Sequence, residues 1–159
     1  MRYDKASYER ELREFNWNIP ADYNIVDVVE GHARRNPDKV AIYWEDAAGN
    51  ERRVTYSQIA EAMLRFGGSL ISLGVKKGDP VMHLLPRLPE AHVAQLGTFV
   101  AGGVAVPCSE MLKEKEIAYR SQVSGAKVIV ADISVADTVD GTRGKCPLQT
   151  FILIGSEEE

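Results

Sequence analysis

Val81-Met-His-Leu-Leu85, Val104-Ala-Val106, Lys127-Val-Ile-Val130 and Phe151-Ile-Leu-Ile154 are short apolar runs set along the stretch from Gly78 to Ile154. Segments long enough for helical crossovers separate them. That rhythm predicts a mostly parallel sheet, because parallel neighbours need a crossover of a dozen or more residues and become buried on both faces. The expected fold class is α/β, a doubly wound sheet flanked by helices. The fold usually carries chemistry, yet this chain shows no complete set of reacting groups. It therefore reads as part of an enzyme.

The intervening segments carry helix punctuation. Pro89 suits the first turn of a helix, where its missing N–H would have been unpaired anyway. That helix is expected to run to about Ala101 and to bury Val93, Leu96 and Val100. Gly102-Gly103 releases the chain into the next strand, which Pro107 is expected to end. Cys108 to Leu112 then form a loop before a helix over Lys113 to Val123, stopped by Ser124-Gly125. Beyond Asp132 the pattern gives a short Ser134 to Val139 helix, a Gly141 to Pro147 loop and the last strand. A stop directly after an apolar strand suits a continuing polypeptide better than a natural end.

Toward the N-terminus, Thr55 and Gln58 have capping-box spacing. The helix they open sets Ile59, Met63, Phe66 and Leu70 on one stripe, with Gly74 at its stop. Gly67-Gly68 inside it costs about 1 kcal/mol per glycine relative to alanine, for which close backbone packing is the expected compensation. Val40 to Glu45 and Glu51 to Thr55 flank the turn Asp46-Ala-Ala-Gly-Asn50 and read as an added β-hairpin. Asn24 caps a helix whose inward face uses Ile25, Val28, Val29 and Ala33, ended by Asn36-Pro37-Asp38. Ser7 to Phe15 places Tyr8, Leu12 and Phe15 at helical spacing, an amphipathic helix expected to pack as a strap. The chain thus divides into a strap over residues 1–22 and an α/β unit over residues 23–159.

At 159 residues and 45% hydrophobic content, the chain has the size and composition of one ordinary domain with a real core. A formal charge of -4 and the lack of a basic stripe exclude a nucleic-acid footprint. Cys108 and Cys146 fit neither a disulfide scaffold nor a four-ligand zinc site, so a reduced, cytoplasmic protein is expected. Met1 to Trp17 is charged throughout, without the apolar core of a signal peptide, and no run is long enough to span a bilayer.

Candidate chemistry is sparse. Gly97 and Gly102 have phosphate-loop spacing, but Gly103-Val104 stands where Lys and Ser/Thr are required, and the segment runs from helix into strand. No dinucleotide fingerprint, His-Glu-x-x-His pair or nucleophile elbow occurs. His83, among apolar neighbours in a strand, reads as a hydrogen-bonded core residue, and His32, beside Arg34 and Arg35, as a surface one. Cys108 has no neighbour to lower its pKa and reads as an inert thiol. Lys113-Glu-Lys-Glu116 reads as a solvated first helical turn. Arg87 and Glu90 follow one strand and Glu110 and Met111 the next, on the side where open α/β sheets bind ligands. Arg87 suits a carboxylate or phosphate, or else a local ion pair with Glu90.

The order of the pieces is more specific than any residue. Asn36-Pro37-Asp38-Lys39-Val40-Ala41, Thr55-Tyr56-Ser57-Gln58-Ile59-Ala60 and Gly74-Val75-Lys76-Lys77-Gly78-Asp79 closely resemble the opening of adenylate-forming enzymes. So do Phe99-Val-Ala-Gly-Gly-Val-Ala-Val-Pro107, Ile117-Ala-Tyr-Arg120 and Ser124-Gly-Ala-Lys-Val128. Trp17-Asn-Ile-Pro20, Met111-Leu112-Lys113 and Tyr119-Arg120 are most similar to medium-chain acyl-CoA synthetases. The resemblance implies a two-domain AMP-forming acid-thiol ligase. In such an enzyme a carboxylate, here a medium-chain fatty or aromatic acid, attacks ATP to give an acyl-adenylate, and CoA then displaces AMP, with magnesium accompanying the ATP.

The resemblance also implies that the catalytic motifs lie elsewhere. The Ser/Thr/Gly-rich loop ending in Pro-Lys, the Tyr-Gly-x-Thr-Glu segment, the ribose-binding Asp and the C-terminal-domain Lys have no matching stretch here. No catalytic residue carries over, and the segment alone is expected to be inactive and to hold no cofactor. Arg87, Glu90, Glu110 and Met111 are expected as neighbours of the acyl or CoA channel. A subdomain of this kind exposes apolar surface, and a dimer formed through it is one expected consequence. The competing readings are a free-standing non-catalytic interaction or regulatory module and a small Rossmann-like nucleotide binder.

Overall fold

The computed structural model describes residues 4–155. The outermost ends of the two expected units, at 1–3 and 156–159, lie outside the described residues. The elements run α1 (Lys5–Glu14), α2 (Ile25–Arg35), β1 (Val40–Glu45), β2 (Glu51–Thr55), α3 (Tyr56–Ser72) and β3 (Pro80–Leu84). They continue with α4 (Pro89–Val100), β4 (Val104–Cys108), α5 (Glu114–Ser124), β5 (Val128–Asp132), a 3-10 turn at Ile133–Val135, α6 (Ala136–Asp140) and β6 (Thr150–Ile154). The fold is α/β. β3 to β6 form a parallel sheet in the order β4-β3-β5-β6, and β1 and β2 form a separate antiparallel hairpin.

The central strands β3 and β5 are buried on both faces, as continuous apolar strands demand, while the edge strands β4 and β6 are only partly covered. Met82, Leu84, Ile129 and Ala131 point to one side and meet Ile117 of α5 and Val139 of α6. Val81, Val128 and Val130 point to the other and meet Leu70 of α3 and Ala94 of α4. Met82, Leu84 and Ile129 are wholly shielded from solvent, and each contributes roughly 1.5–3 kcal/mol by that burial. A third cluster, Val26, Ala60 and Met63, fastens α2 to α3.

Punctuation acts largely where the sequence places it. The Asn24 side chain accepts from the Val26 N–H at 2.9 Å. Thr55 and Gln58 close a capping box, Pro89 opens α4, and Gly74 and Gly125 end α3 and α5 at φ 92° and 75°. At Lys113 the Glu116 carboxylate accepts from the backbone N–H at 2.9 Å, in the solvated first turn expected there.

Several expectations change. Pro107 does not end β4 but pairs with His83 inside it. β4 is an edge strand, where a missing N–H costs the ladder nothing on its open side. In α2 the inward residue is Val26, with Val29 and Ala33 one and two turns on, while Ile25 stays exposed in the first turn. α4 buries Ala94, Gly97 and Thr98, and Val93, Leu96 and Val100 are only half-buried. The reason is the closeness of α3. A Cβ on Gly67 would lie 2.5 Å from the Val100 side chain and 2.9 Å from the Gly97 carbonyl oxygen, and one on Gly97 would lie 2.7 Å from Phe66. Gly68, by contrast, faces open space, so close packing compensates for only one of the paired glycines.

α1 forms as expected, capped by Asp4, but it does not pack on the α/β unit. Tyr8, Leu12 and Phe15 are 60%, 62% and 59% exposed, and α1 buries no residue. His32 is not a plain surface residue either. Its ring stacks on Tyr56 with centroids 4.8 Å apart, and its Nδ1 is buried without a hydrogen-bond partner.

Candidate functional site

β3 and β4 are parallel neighbours in register, with Leu84 opposite Cys108, so their carboxyl-end loops leave the sheet side by side. Ligands of open α/β sheets bind at this end. A cleft of roughly 680 Å3 opens there, lined among others by Trp44, Arg87, His92, Ser109 and Glu110. Two of the four residues singled out in the sequence, Arg87 and Glu110, thus share one cavity wall.

The other two do not join them. Glu90 lines a neighbouring hollow with Arg52, Gln58 and Val93. Met111 is 78% exposed on the loop, where its N–H donates to the Ser109 hydroxyl at 3.2 Å. The local ion pair between Arg87 and Glu90 is absent as well. Glu90 takes both of its hydrogen bonds from Arg52, at 2.6 and 3.3 Å. Partial burial pushes the Glu90 carboxyl up, but the hydrogen bonds and charge of Arg52 outweigh it and hold it below the usual carboxylate range.

Arg52 comes from the hairpin, as does a second contact with the same loop. The indole Nε1–H of Trp44 donates to the Arg87 carbonyl at 2.6 Å. Trp44 and Arg52 are direct cross-strand partners, and the guanidinium lies 5.7 Å from the centroid of the indole. One rung of the hairpin therefore grips the C-terminal half of the turn between β3 and α4 together with the first turn of α4. The Arg87 side chain is exposed and pairs with no carboxylate among the described residues. Sequence reasoning missed this rung, although counting outward from the Asp46–Asn50 turn sets Trp44 opposite Arg52.

The cleft offers aromatic groups, the Arg87 cation and the Glu110 carboxylate, but no activated nucleophile. Burial pushes the Cys108 thiol up, against a smaller opposing pull from the Arg120 charge, which fits the inert reading. His83 is buried and its Nε2 lies 3.0 Å from the Thr98 hydroxyl, the hydrogen-bonded core role its position implies. Among the described residues no three His, Cys, Asp or Glu side chains gather as a cation site, so no step through magnesium is assigned to them. The strand order reverses at β3, which places the switch crevice between the carboxyl ends of β3 and β5. Asp132 stands there, capping the Ile133–Val135 turn through the Ser134 N–H at 2.9 Å, and the sequence reading did not single it out.

Comparison with known proteins matches residues 29–158 to the family of AMP-binding enzymes. The chain is 35% identical over 127 residues to an uncharacterized acyl-CoA ligase, YtcI, of Bacillus subtilis, covering 74% of this chain and 24% of that protein. It is 31% identical over 151 residues to the mitochondrial acyl-coenzyme A synthetase ACSM3 of Mus musculus, covering 89% of this chain and 26% of the relative. The chain therefore spans about a quarter of the length of these curated relatives. The inhibitor-bound N-terminal domain of FACL13 from Mycobacterium tuberculosis superimposes with a TM-score of 0.73 at 27% identity, over 82% of this chain and 33% of that domain. No helix among the described residues is long and apolar enough to cross a membrane.

Proposed function

The chain belongs to the family of AMP-binding enzymes, and from that premise we propose that it forms the first α/β subdomain of an acyl-CoA ligase. The complete polypeptide activates a carboxylic acid with ATP, releasing pyrophosphate, and passes the acyl group from the adenylate to the CoA thiol. A free carboxylate is a poor acyl donor, and the adenylate supplies the leaving group that the thiol displaces. Medium-chain fatty or aromatic acids are the substrates put forward, and the cytoplasm is the compartment. The family match over residues 29–158 is the observation that carries this reading.

In that enzyme the described residues act as scaffold. Arg87, Glu90, Glu110 and Met111 stand beside the acyl or CoA channel, with Arg87 and Glu110 on the cleft wall itself. None carries out a chemical step, and the segment alone is inactive. Carboxylate-dependent exchange of pyrophosphate into ATP by the complete polypeptide tests the first half-reaction. Exchange with medium-chain or aromatic acids is expected, and none across short, medium and aromatic acids would defeat the reading. The segment alone should bind no ATP by calorimetry, whereas micromolar binding would show that the nucleotide site lies here.

A further inference from the structure

The hairpin contacts have a use beyond holding two elements together. Resting on the ligase reading above, we propose that the Trp44–Arg52 rung positions Arg87, so that its guanidinium receives an anionic group of a substrate at the carboxyl end of the sheet. Three observations carry this. Trp44 donates to the carbonyl of Arg87 itself at 2.6 Å, so the rung fixes the backbone from which that side chain departs. Arg52 binds Glu90 through both carboxylate oxygens in the first turn of α4, three residues on, and its guanidinium lies over the Trp44 ring. The Arg87 side chain forms no ion pair among the described residues, on the wall of a cleft that also presents Trp44, His92 and Glu110.

The charge arrangement suits this division of labour. Glu90 satisfies Arg52 and sits in the first turn of α4, where a carboxylate is favoured by the helix dipole. Arg52 is thus committed to structure, as is Arg53 with Glu51 and Tyr43, and Arg87 remains as the cation facing the ligand. An arginine held this way matches carboxylate and phosphate oxygens alike. The anionic oxygens belong to the acid, to ATP or to CoA, and the test separates these sources. Arg87 is the binding residue, and Trp44 and Arg52 are positioning residues.

The experiment uses the complete polypeptide and two readouts. Steady-state kinetics with octanoate, ATP and CoA varied in turn are measured for Trp44→Phe, Arg52→Lys, Arg87→Ala and the double variant Trp44→Phe/Arg87→Ala. Arg87→Ala is expected to raise KM about tenfold for one of the three with kcat within about twofold, as one lost charge-assisted contact would. Trp44→Phe should raise the same KM about threefold in the parent and leave it unchanged in the Arg87→Ala background. Arg52→Lys should give an intermediate KM.

The second readout needs no turnover. The Trp44 indole N–H, assigned by the Trp44→Phe variant, should exchange slowly with solvent. It should shift on adding the same substrate, and the shift should vanish in Arg87→Ala. An indole shift without pyrophosphate exchange would leave the positioning role standing and remove the ligase reading. Normal exchange with every KM unaltered in Arg87→Ala would overturn the positioning role alone. Equal Trp44→Phe effects in both backgrounds, or no indole shift with any of the three compounds, would also overturn it.

Discussion

His83 shows how a single residue sets a pH dependence. The Thr98 hydroxyl lies 2.9 Å from the Ala94 carbonyl and 3.0 Å from Nε2 of His83, and in the tautomer where the hydroxyl donates to the carbonyl, Nε2 donates to Thr98. A second proton on the ring would charge a buried group, and burial lowers its pKa from 6.5 to about 4. The folded value lies below the unfolded one, so this contribution to stability is complete above pH 6.5. It erodes as pH falls toward 4, because the unfolded chain takes up the proton first. At 1.36 kcal/mol per unit, the erosion amounts to roughly 3 kcal/mol over the whole window. His83→Gln keeps an N–H near the Nε2 position and cannot titrate. Its urea-unfolding free energy should lose about 2 kcal/mol less than the parent's between pH 7 and pH 5, and parallel pH profiles would refute the assignment. Glu90 acts in a lower window, contributing above its ordinary value of 4.5 and losing that contribution below it. The role of His83 was legible from its apolar strand neighbours. The partner of Glu90 was not, since Arg52 stands 38 residues away and a nearer cation, Arg87, competes for the inference.

At the scale of elements, the α3–α4 crossing separates two adjacent glycines that look alike in sequence. Gly67 and Gly97 let the helix backbones meet, and an added Cβ at Gly97 would fall 2.7 Å from Phe66 and 3.1 Å from the Met63 carbonyl oxygen and the Gly67 nitrogen. Two of those neighbours are backbone atoms that cannot turn aside. Gly67→Ala and Gly97→Ala should each destabilise by about 1–3 kcal/mol through overpacking. Gly68 has nothing within 4 Å of the place a methyl group would occupy, so Gly68→Ala should stabilise by about 0.5–1 kcal/mol through helix propensity and a less free unfolded chain. Chemical denaturation of the three variants checks both signs, and a destabilising Gly68→Ala would contradict the open face. The helices, caps and strand order of appearance were legible because period and punctuation are local. Helix rotation, the strand status of Pro107 and the partner of each glycine were not, because they depend on which elements become neighbours.

For the whole molecule, the described residues divide into a packed unit from Asn24 onward and an N-terminal stretch that contributes no buried side chain. The three apolar clusters draw on nothing before Val26. Phe15 and Trp17 meet edge to face at 5.1 Å, a contact local to that stretch, and Trp17 remains 80% exposed. The amphipathic pattern of α1 was legible, but amphipathicity does not say what covers the apolar stripe, and nothing in residues 24–155 does. Removal of residues 1–22 should therefore change the unfolding free energy of this chain by no more than about 0.5 kcal/mol, the range of surface changes that disturb no buried contact. The same removal takes away the exposed Tyr8, Leu12 and Phe15 stripe, so any concentration-dependent self-association seen by sedimentation should weaken. A loss of about 2 kcal/mol or more would mean that α1 packs on the α/β unit in solution, as a strap would. Unchanged stability with undiminished association would move the adhesive surface to another exposed apolar group, of which Ile71 and Leu73 at the end of α3 are the first to substitute.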